Sequence, residues 1–354
     1  MGEVLGVGVT HYPPFSGTDA DMAGLLRRTM ADPGIPAEAK DPARWTETAR
    51  REWGDDGGAT GAAEHREALI KGFEQVRAAI DDFNPDAVVI WGDDQYENFR
   101  EDLIPPYAVL AYPDLEVRPW AQAGDSADMK GKPNIWGEPY DATFRVRGRP
   151  DIAKHLATGL LERDIDVAYA YKQAHHPGLP HAFLNAILYL DYHRTGFDYP
   201  VIPFPINCYG RRVVSYRGFM SEIGDKRELD PPSPAPARLM RVGAEVARIC
   251  AESPWRIALL ASSSWSHAFL CDRTWRMWPD TPADVRLYEA MVKGDLDVWR
   301  ATTLAEIEAA GQQELLNWFP LVAAMETLGR PVPRWSAFVE TEVFNSNKVF
   351  AVYR

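Results

Sequence analysis

Short apolar runs closed by polar clusters alternate along this chain with stretches that are apolar on one side only. Residues 4–9 form a Val/Leu/Gly run that ends in Thr10-His11-Tyr12-Pro13-Pro14. Residues 87–91 end in Gly92-Asp93-Asp94-Gln95, and residues 257–261 end in Ser262-Ser263-Ser264-Trp265-Ser266-His267. Runs of this length, closed by turn residues, predict fully buried strands. Between the first two, Leu69, Phe73, Val76, Ile80 and Phe83 recur at three- and four-residue spacing, which predicts a helix over 64–83 stopped by Asn84-Pro85. Further on, the pattern predicts helices near 150–162, 180–192, 237–251, 282–295, 303–310 and 313–328. It predicts strands at 166–171, 201–206, 336–343 and 348–353. Pro203 and Pro205 mark 201–206 as an edge or bulged strand.

Strands alternating with helices imply an α/β fold with a mostly parallel central sheet flanked by helices. In such a sheet functional groups gather beyond the carboxyl ends of the strands. Two stretches break the alternation. Residues 16–60 are Gly/Pro/Asp-rich and weakly periodic, and 112–149 set Trp120, Trp136 and Tyr140 among glycines and prolines. Loops of that length are usually functional or disordered, and both stretches read as inserted loop or lid segments.

Composition narrows the function classes. Among 354 residues, 38 basic against 51 acidic side chains leave a net charge of −13. That argues against nucleic acid or an anionic membrane surface as the main partner. Cys208, Cys250 and Cys271 lie far apart without a CxxC pair, so neither a disulfide framework nor a zinc knuckle is expected, and a cytoplasmic setting fits. The first residues lack a basic stretch ahead of their short apolar run, and no segment nears the ~18 apolar residues of a membrane span.

The strand-end clusters carry the candidate chemistry. His11 directly follows a buried strand, a rigid placement for a ligand or base. Asp93 and Asp94 offer oxygens for a hard cation, or turn and N-cap chemistry for the segment that follows. His267 suits a lone acid/base, since no Gly-x-Ser-x-Gly elbow supports a hydrolase triad. His175 and His176 share a Pro/Gly loop, and adjacent side chains rarely enter one site together. His65 lies in the first turn of a helix that returns to the carboxyl edge of the sheet. His155 reads as a core or boundary residue, and His181 and His193 as surface residues.

In this order, these segments resemble the class III extradiol ring-cleavage dioxygenases. Gly-Val-Thr-His11 with Pro13-Pro14 is similar to the family's first iron-histidine segment. Ala87-Val-Val-Ile-Trp-Gly-Asp-Asp-Gln95, with Phe99 and Ile104-Pro105, is similar to the second. Gly148-Arg-Pro-Asp-Ile-Ala-Lys-His155, the His176 loop, the strand ending at Asn207, Ser266-His267, Glu314-Leu-Leu-Asn-Trp318 and Asn345-Ser-Asn347 continue the series. The resemblance covers nearly the whole chain apart from 16–60. It implies a single α/β domain over 1–354 and oxidative cleavage of a catechol-like aromatic with O₂ at Fe(II). His11 and Glu314 would be metal ligands, His267 the acid/base, and His176 a donor to substrate. Tyr12, Asp94, Asn207 and His175 would line the pocket. Gln95 stands where the family has its second iron histidine. Either Gln95 supplies a weak oxygen ligand or His65 completes the triad, and Asp93 or Asp94 could add an oxygen. A homodimer or larger homo-oligomer is expected. A non-catalytic subunit of a two-subunit dioxygenase and a metal-dependent hydrolase are the alternatives.

Overall fold

Each of the three apolar runs forms a strand. A computed structural model describes residues 2–123, 132–218 and 228–354. Its strands are β1 (Glu3–Val9), β2 (Ala87–Asp93), β3 (Ala108–Leu110), β4 (Leu115–Val117), β5 (Phe144–Val146), β6 (Ala168–Ala170), β7 (Val201–Ile206), β8 (Arg256–Ser262), β9 (Trp335–Val339) and β10 (Lys348–Tyr353). The central sheet runs β7-β2-β8-β1-β10-β9. The pairings from β7 to β1 are parallel, and β10 pairs antiparallel with both β1 and β9. The sheet is therefore mixed, and the expected parallel character is confined to one part of it. The physical reason lies in the connections. A crossover helix separates the parallel strands, whereas only residues 340–347 link β9 to β10, too few for a crossover.

The two prolines are answered by position, because β7 is the terminal strand of the sheet. Strand β6 is displaced from where alternation suggests. It pairs with β3 in a separate two-stranded sheet, and its side chains are only half-buried or exposed.

The helices are α1 (Asp19–Met22), α2 (Gly24–Ala31), α3 (Ala37–Lys40), α4 (Glu47–Trp53), α5 (Ala59–Phe83), α6 (Pro119–Ala123), α7 (Pro150–Leu161), α8 (His181–Leu190), α9 (Pro236–Glu252), α10 (Thr281–Lys293), α11 (Leu296–Ala301), α12 (Leu304–Ala309) and α13 (Trp318–Thr327). Residues 16–60 thus hold α1–α4, which are too short for a helical period to show in the sequence. Tertiary bonds hold them down. Buried Arg66 donates to Asp19 Oδ1 (2.5 Å) and to the carbonyls of Phe15 (2.5 Å) and Gly17 (2.7 Å). Glu52 accepts from the backbone of Glu342 (3.0 Å) and Val343 (2.9 Å).

Apolar cores cover both faces of the sheet. One contains the buried faces of α7, α9 and α13, the other those of α5 and α8. Strand alternation sorts β2 accordingly, with Val89 and Trp91 toward the first core and Val88 and Ile90 toward the second. The three cysteines are buried free thiols. No helix among the described residues is long and apolar enough to cross a membrane.

Candidate metal centre

The strand order puts β8 between β2 and β1, so the three polar clusters noted in the sequence end side by side. Asp93 is the last residue of β2, Ser262 the last of β8, and His11 lies two residues beyond β1. Pro13 opens a 3₁₀ turn that takes the chain off the sheet. Glu314 comes from the opposite direction, on the buried 3₁₀ turn Gln313–Asn317 that leads into α13. The loop after β8 is pinned to the chain before β10. Trp265 N–H donates to Asn347 O (2.9 Å), and His267 N–H donates to Gly311 O (2.8 Å), just ahead of the turn that carries Glu314.

Hydrogen bonds define both imidazoles. His11 Nδ1 lies 3.0 Å from the Ser262 carbonyl, and His267 Nδ1 lies 2.8 Å from the Trp265 carbonyl. A carbonyl only accepts, so each Nδ1 carries the proton and each Nε2 presents a lone pair. His11 Nε2 is 3.3 Å from Glu314 Oε2 and 3.6 Å from Asp93 Oδ1. His267 Nε2 is also 3.3 Å from Glu314 Oε2. Lone pairs therefore face lone pairs. His11 Nε2, Asp93 Oδ2 and Glu314 Oε2 are buried without a hydrogen-bond partner.

Protonation of His11 or His267 does not relieve this conflict near neutral pH. Burial lowers the His11 pKa to about 4 even with Asp93 beside it, and burial lowers that of His267. Burial, reinforced by Glu314, raises Asp93 to about 6. A shared cation satisfies all of these atoms at once, and imidazole and carboxylate donors suit a divalent transition metal. The residues present thus fit a metal.

Neighbouring side chains hold the donors. Tyr209 OH donates a short hydrogen bond to Glu314 Oε1. Asn317 Nδ2 donates to Asp93 Oδ1 and to the Ser262 carbonyl, each at 3.3 Å. His181, the first residue of α8, packs edge-on against His11 with ring centroids 5.0 Å apart. Its Nδ1 lies 2.9 Å from Glu97 Oε2. Burial opposes charge on this ring, but Glu97, aided by Asp93 and Glu314, raises its pKa to about 10. Ligating atoms of His11, Asp93 and His181 all lie within 4.8 Å of one another.

The other candidates are distributed differently. Asp94 caps the turn after β2 by accepting from the backbone N–H of Glu97 (2.9 Å), Asn98 (3.1 Å) and Phe99 (3.3 Å). It also borders a small cavity with Phe99, Ile104 and Asn207. Gln95 is half-buried in that turn and makes no side-chain hydrogen bond among the described residues. His65 is buried against Phe344 (5.0 Å between ring centroids) and Tyr12 (6.3 Å). No hydrogen bond or ion pair among the described residues links it to His11, Asp93 or Glu314. Tyr12 OH donates to Met22 O (3.2 Å), so Tyr12 ties the strand end to α1. His175 is paired with Asp102 at 2.8 Å in an exposed loop, and His176 Nδ1 accepts from Gly178 N–H (3.1 Å).

His181 is the residue the sequence reading placed wrongly, at the surface. The available signal was the Pro/Gly loop ahead of it, which starts a helix at the same sheet edge as His65. Tyr209 and Asn317 carried no signal beyond Asn317 following Glu314 by three residues.

Fold and site together define an α/β protein with a buried histidine–carboxylate cluster, suited to a metal, at the carboxyl edge of its sheet. No protein-family model matches the chain. It is 26% identical over 207 residues to a 2,3-dihydroxyphenylpropionate/2,3-dihydroxicinnamic acid 1,2-dioxygenase 2 of Pseudomonas putida, covering 57% of this chain and 51% of that one. It is 24% identical over 320 residues to the corresponding dioxygenase 1 of Dechloromonas aromatica, covering 80% and 92%. It is 25% identical over 264 residues to the dioxygenase of Rhodococcus jostii, covering 74% and 66%. The chain spans about half the length of the first of these. All are extradiol dioxygenases of class III type, so the chain resembles curated members of the family its motifs suggested.

Proposed function

We propose that this protein is a metal-dependent dioxygenase that cleaves a catechol-like aromatic ring with O₂ in the extradiol manner. The observation that carries the reading is the convergence of unpartnered His11 Nε2, Glu314 Oε2 and Asp93 Oδ2 at the carboxyl edge of the sheet. His11 and Glu314 would hold the metal, which the family resemblance makes Fe(II). When bound, Fe(II) with open coordination positions can take both a catecholate and O₂.

The remaining work belongs to the protein. His267 is neutral because it is buried, and its Nδ1–H is fixed by Trp265 O. Its Nε2 can therefore accept a phenolic proton from a substrate beside Glu314, and return it later. Tyr209 holds the far oxygen of Glu314, which keeps the other oxygen aimed at His11 and His267. His176 and Asn207 would line the approach, and residues 16–60 with the described parts of 112–149 would shape it. Residues 124–131 of the second segment fall outside the described residues.

A purely structural role is disfavoured by energetics. Buried, unpartnered carboxylate and imidazole atoms destabilise a fold by about 1–3 kcal/mol each, and a scaffold gains nothing from them. The test is anaerobic reconstitution with Fe(II), then O₂ uptake and ring-cleavage absorbance over a catechol panel that includes 2,3-dihydroxyphenylpropionate. Uptake that needs both Fe(II) and a vicinal diol is expected. Metal-loaded protein that consumes no O₂ with any member of the panel refutes the proposal.

A further inference from the structure

We infer that Asp93 and His181 complete the metal centre begun by His11 and Glu314, in place of a side chain at position 95. The inference rests on reading the site as a metal centre and does not depend on the reaction.

Asp93 is the last residue of β2 and Asp94 the first beyond it, and successive side chains along extended chain point to opposite sides, so the two carboxylates face differently. Asp94 is engaged by three backbone N–H groups of the following turn. Asp93, with no exposed surface, turns inward and keeps Oδ2 without a partner. Its Oδ1 is steadied by Asn317, which lies on the same 3₁₀ turn as Glu314. One turn thus supplies one carboxylate and orients the other.

Glu97, two residues past Gln95, binds His181 at both its backbone N–H (3.2 Å) and its Nδ1 (2.9 Å). A carboxylate on one ring nitrogen fixes the imidazole and leaves the other nitrogen to ligate once a metal displaces its proton, the usual support for a metal-binding histidine. The segment that lacks a histidine at 95 therefore carries the carboxylate that orients a histidine from α8. His65 has no comparable support, since Phe344 and Tyr12 surround its ring and its Nε2 is unpartnered. The resulting donor set, two imidazoles and two carboxylates, is richer in oxygen than two histidines with one carboxylate.

The experiment uses the full chain stripped of metal by chelation and titrated anaerobically with Co(II). Calorimetry and the visible ligand-field bands are read together. D93N and H181Q are each expected to weaken Co(II) binding by about tenfold or more and to shift the bands. E97Q should weaken it less, since it loosens His181 without removing it. Q95A and H65F should keep wild-type affinity and spectrum. Wild-type binding in either D93N or H181Q overturns the inference, and so does an equal loss in Q95A or H65F. Far-UV circular dichroism of each apo variant screens for folding, and if D93N does not fold, H181Q alone decides. Metal held through these donors without O₂ consumption would refute the dioxygenase reading alone. Absence of stoichiometric metal in the wild type would refute both.

Discussion

Alanine at Gly8 tests whether packing beneath the site sets the positions of its donors. A Cβ at Gly8 would lie 2.1 Å from Cη2, 2.4 Å from Cζ3 and 2.7 Å from Cζ2 of Trp318. Carbon atoms rest at about 3.5–4.0 Å, so the indole must retreat by more than an ångström. It has little room to do so. Trp318 is fully buried, stands edge-on to Trp265 at 5.5 Å, and directs Nε1 at the Ser263 carbonyl (3.4 Å). Its backbone directly follows Asn317 on the turn that begins with Gln313 and Glu314, so the retreat displaces the turn that carries both Asn317 and Glu314. Overpacking of this kind costs about 1–3 kcal/mol. Urea denaturation of apo G8A should show that loss, and Co(II) binding should weaken by about tenfold, or about 1.4 kcal/mol. Gly24→Ala is the control. Gly24 begins α2, and beyond its chain neighbours and its own helix backbone no atom lies within 4 Å of the point where a methyl carbon would stand, so alanine there should be neutral or stabilise by up to about 1 kcal/mol. If G8A stays within about 0.5 kcal/mol of wild type and binds Co(II) normally, the packing argument fails.

Three further outcomes follow from the same contacts. H267Q should retain metal and lose turnover by about 10²-fold or more, measured as O₂ uptake under saturating Fe(II), whereas an active H267Q would remove His267 from the proton transfer. D284A should destabilise by about 3 kcal/mol in thermal and urea unfolding, because the buried Asp284 carboxylate accepts from Ser266 N–H (3.1 Å), Gln312 Nε2 (2.7 Å) and Asn347 Nδ2 (2.8 Å), and a silent substitution would contradict that role. Burial, with Lys348 and Arg66 adding to it, holds the His65 pKa well below its usual value, so the unfolded chain takes up the proton first. The associated stability is present above pH ~6.5 and is lost as pH falls, at about 1.4 kcal/mol per pH unit for one proton. H65F should flatten the pH 6.5 to 5 slope of the unfolding free energy by that amount, and an unchanged slope would exclude His65 as the group responsible.

Much of the fold was legible along the chain because burial imposes a period. The 3.6-residue stripe of α5 and the apolar runs of β1, β2 and β8 appear where the pattern predicts them. The prolines of 201–206 indicated an edge strand, and β7 is one. The short helices of 16–60 were not legible, since a helix of four to eight residues shows at most two turns of pattern. Their order depends on Arg66 and Glu52, which bond to residues far away in sequence. Nor was the antiparallel hairpin of β9 and β10 legible as such, because a strand's hydrophobicity does not state its direction.

Local sequence determined which side chains end up near the carboxyl edge of the sheet: His11, Asp93, His181 and His267 all stand at the end of a strand, just beyond one, or at the start of a helix that returns there. Which of them face one another was decided only by the tertiary structure. Strand order placed β8 between β2 and β1, and so aligned the ends that carry His11 and Asp93 across Ser262. Strand parity turned Asp93 inward and left Asp94 to cap a turn. A distant 3₁₀ turn brought in Glu314 together with Asn317. Periodicity encodes burial residue by residue, but the convergence of lone pairs on one point depends on elements from opposite ends of the chain, whose separation is set by packing such as Gly8 against Trp318.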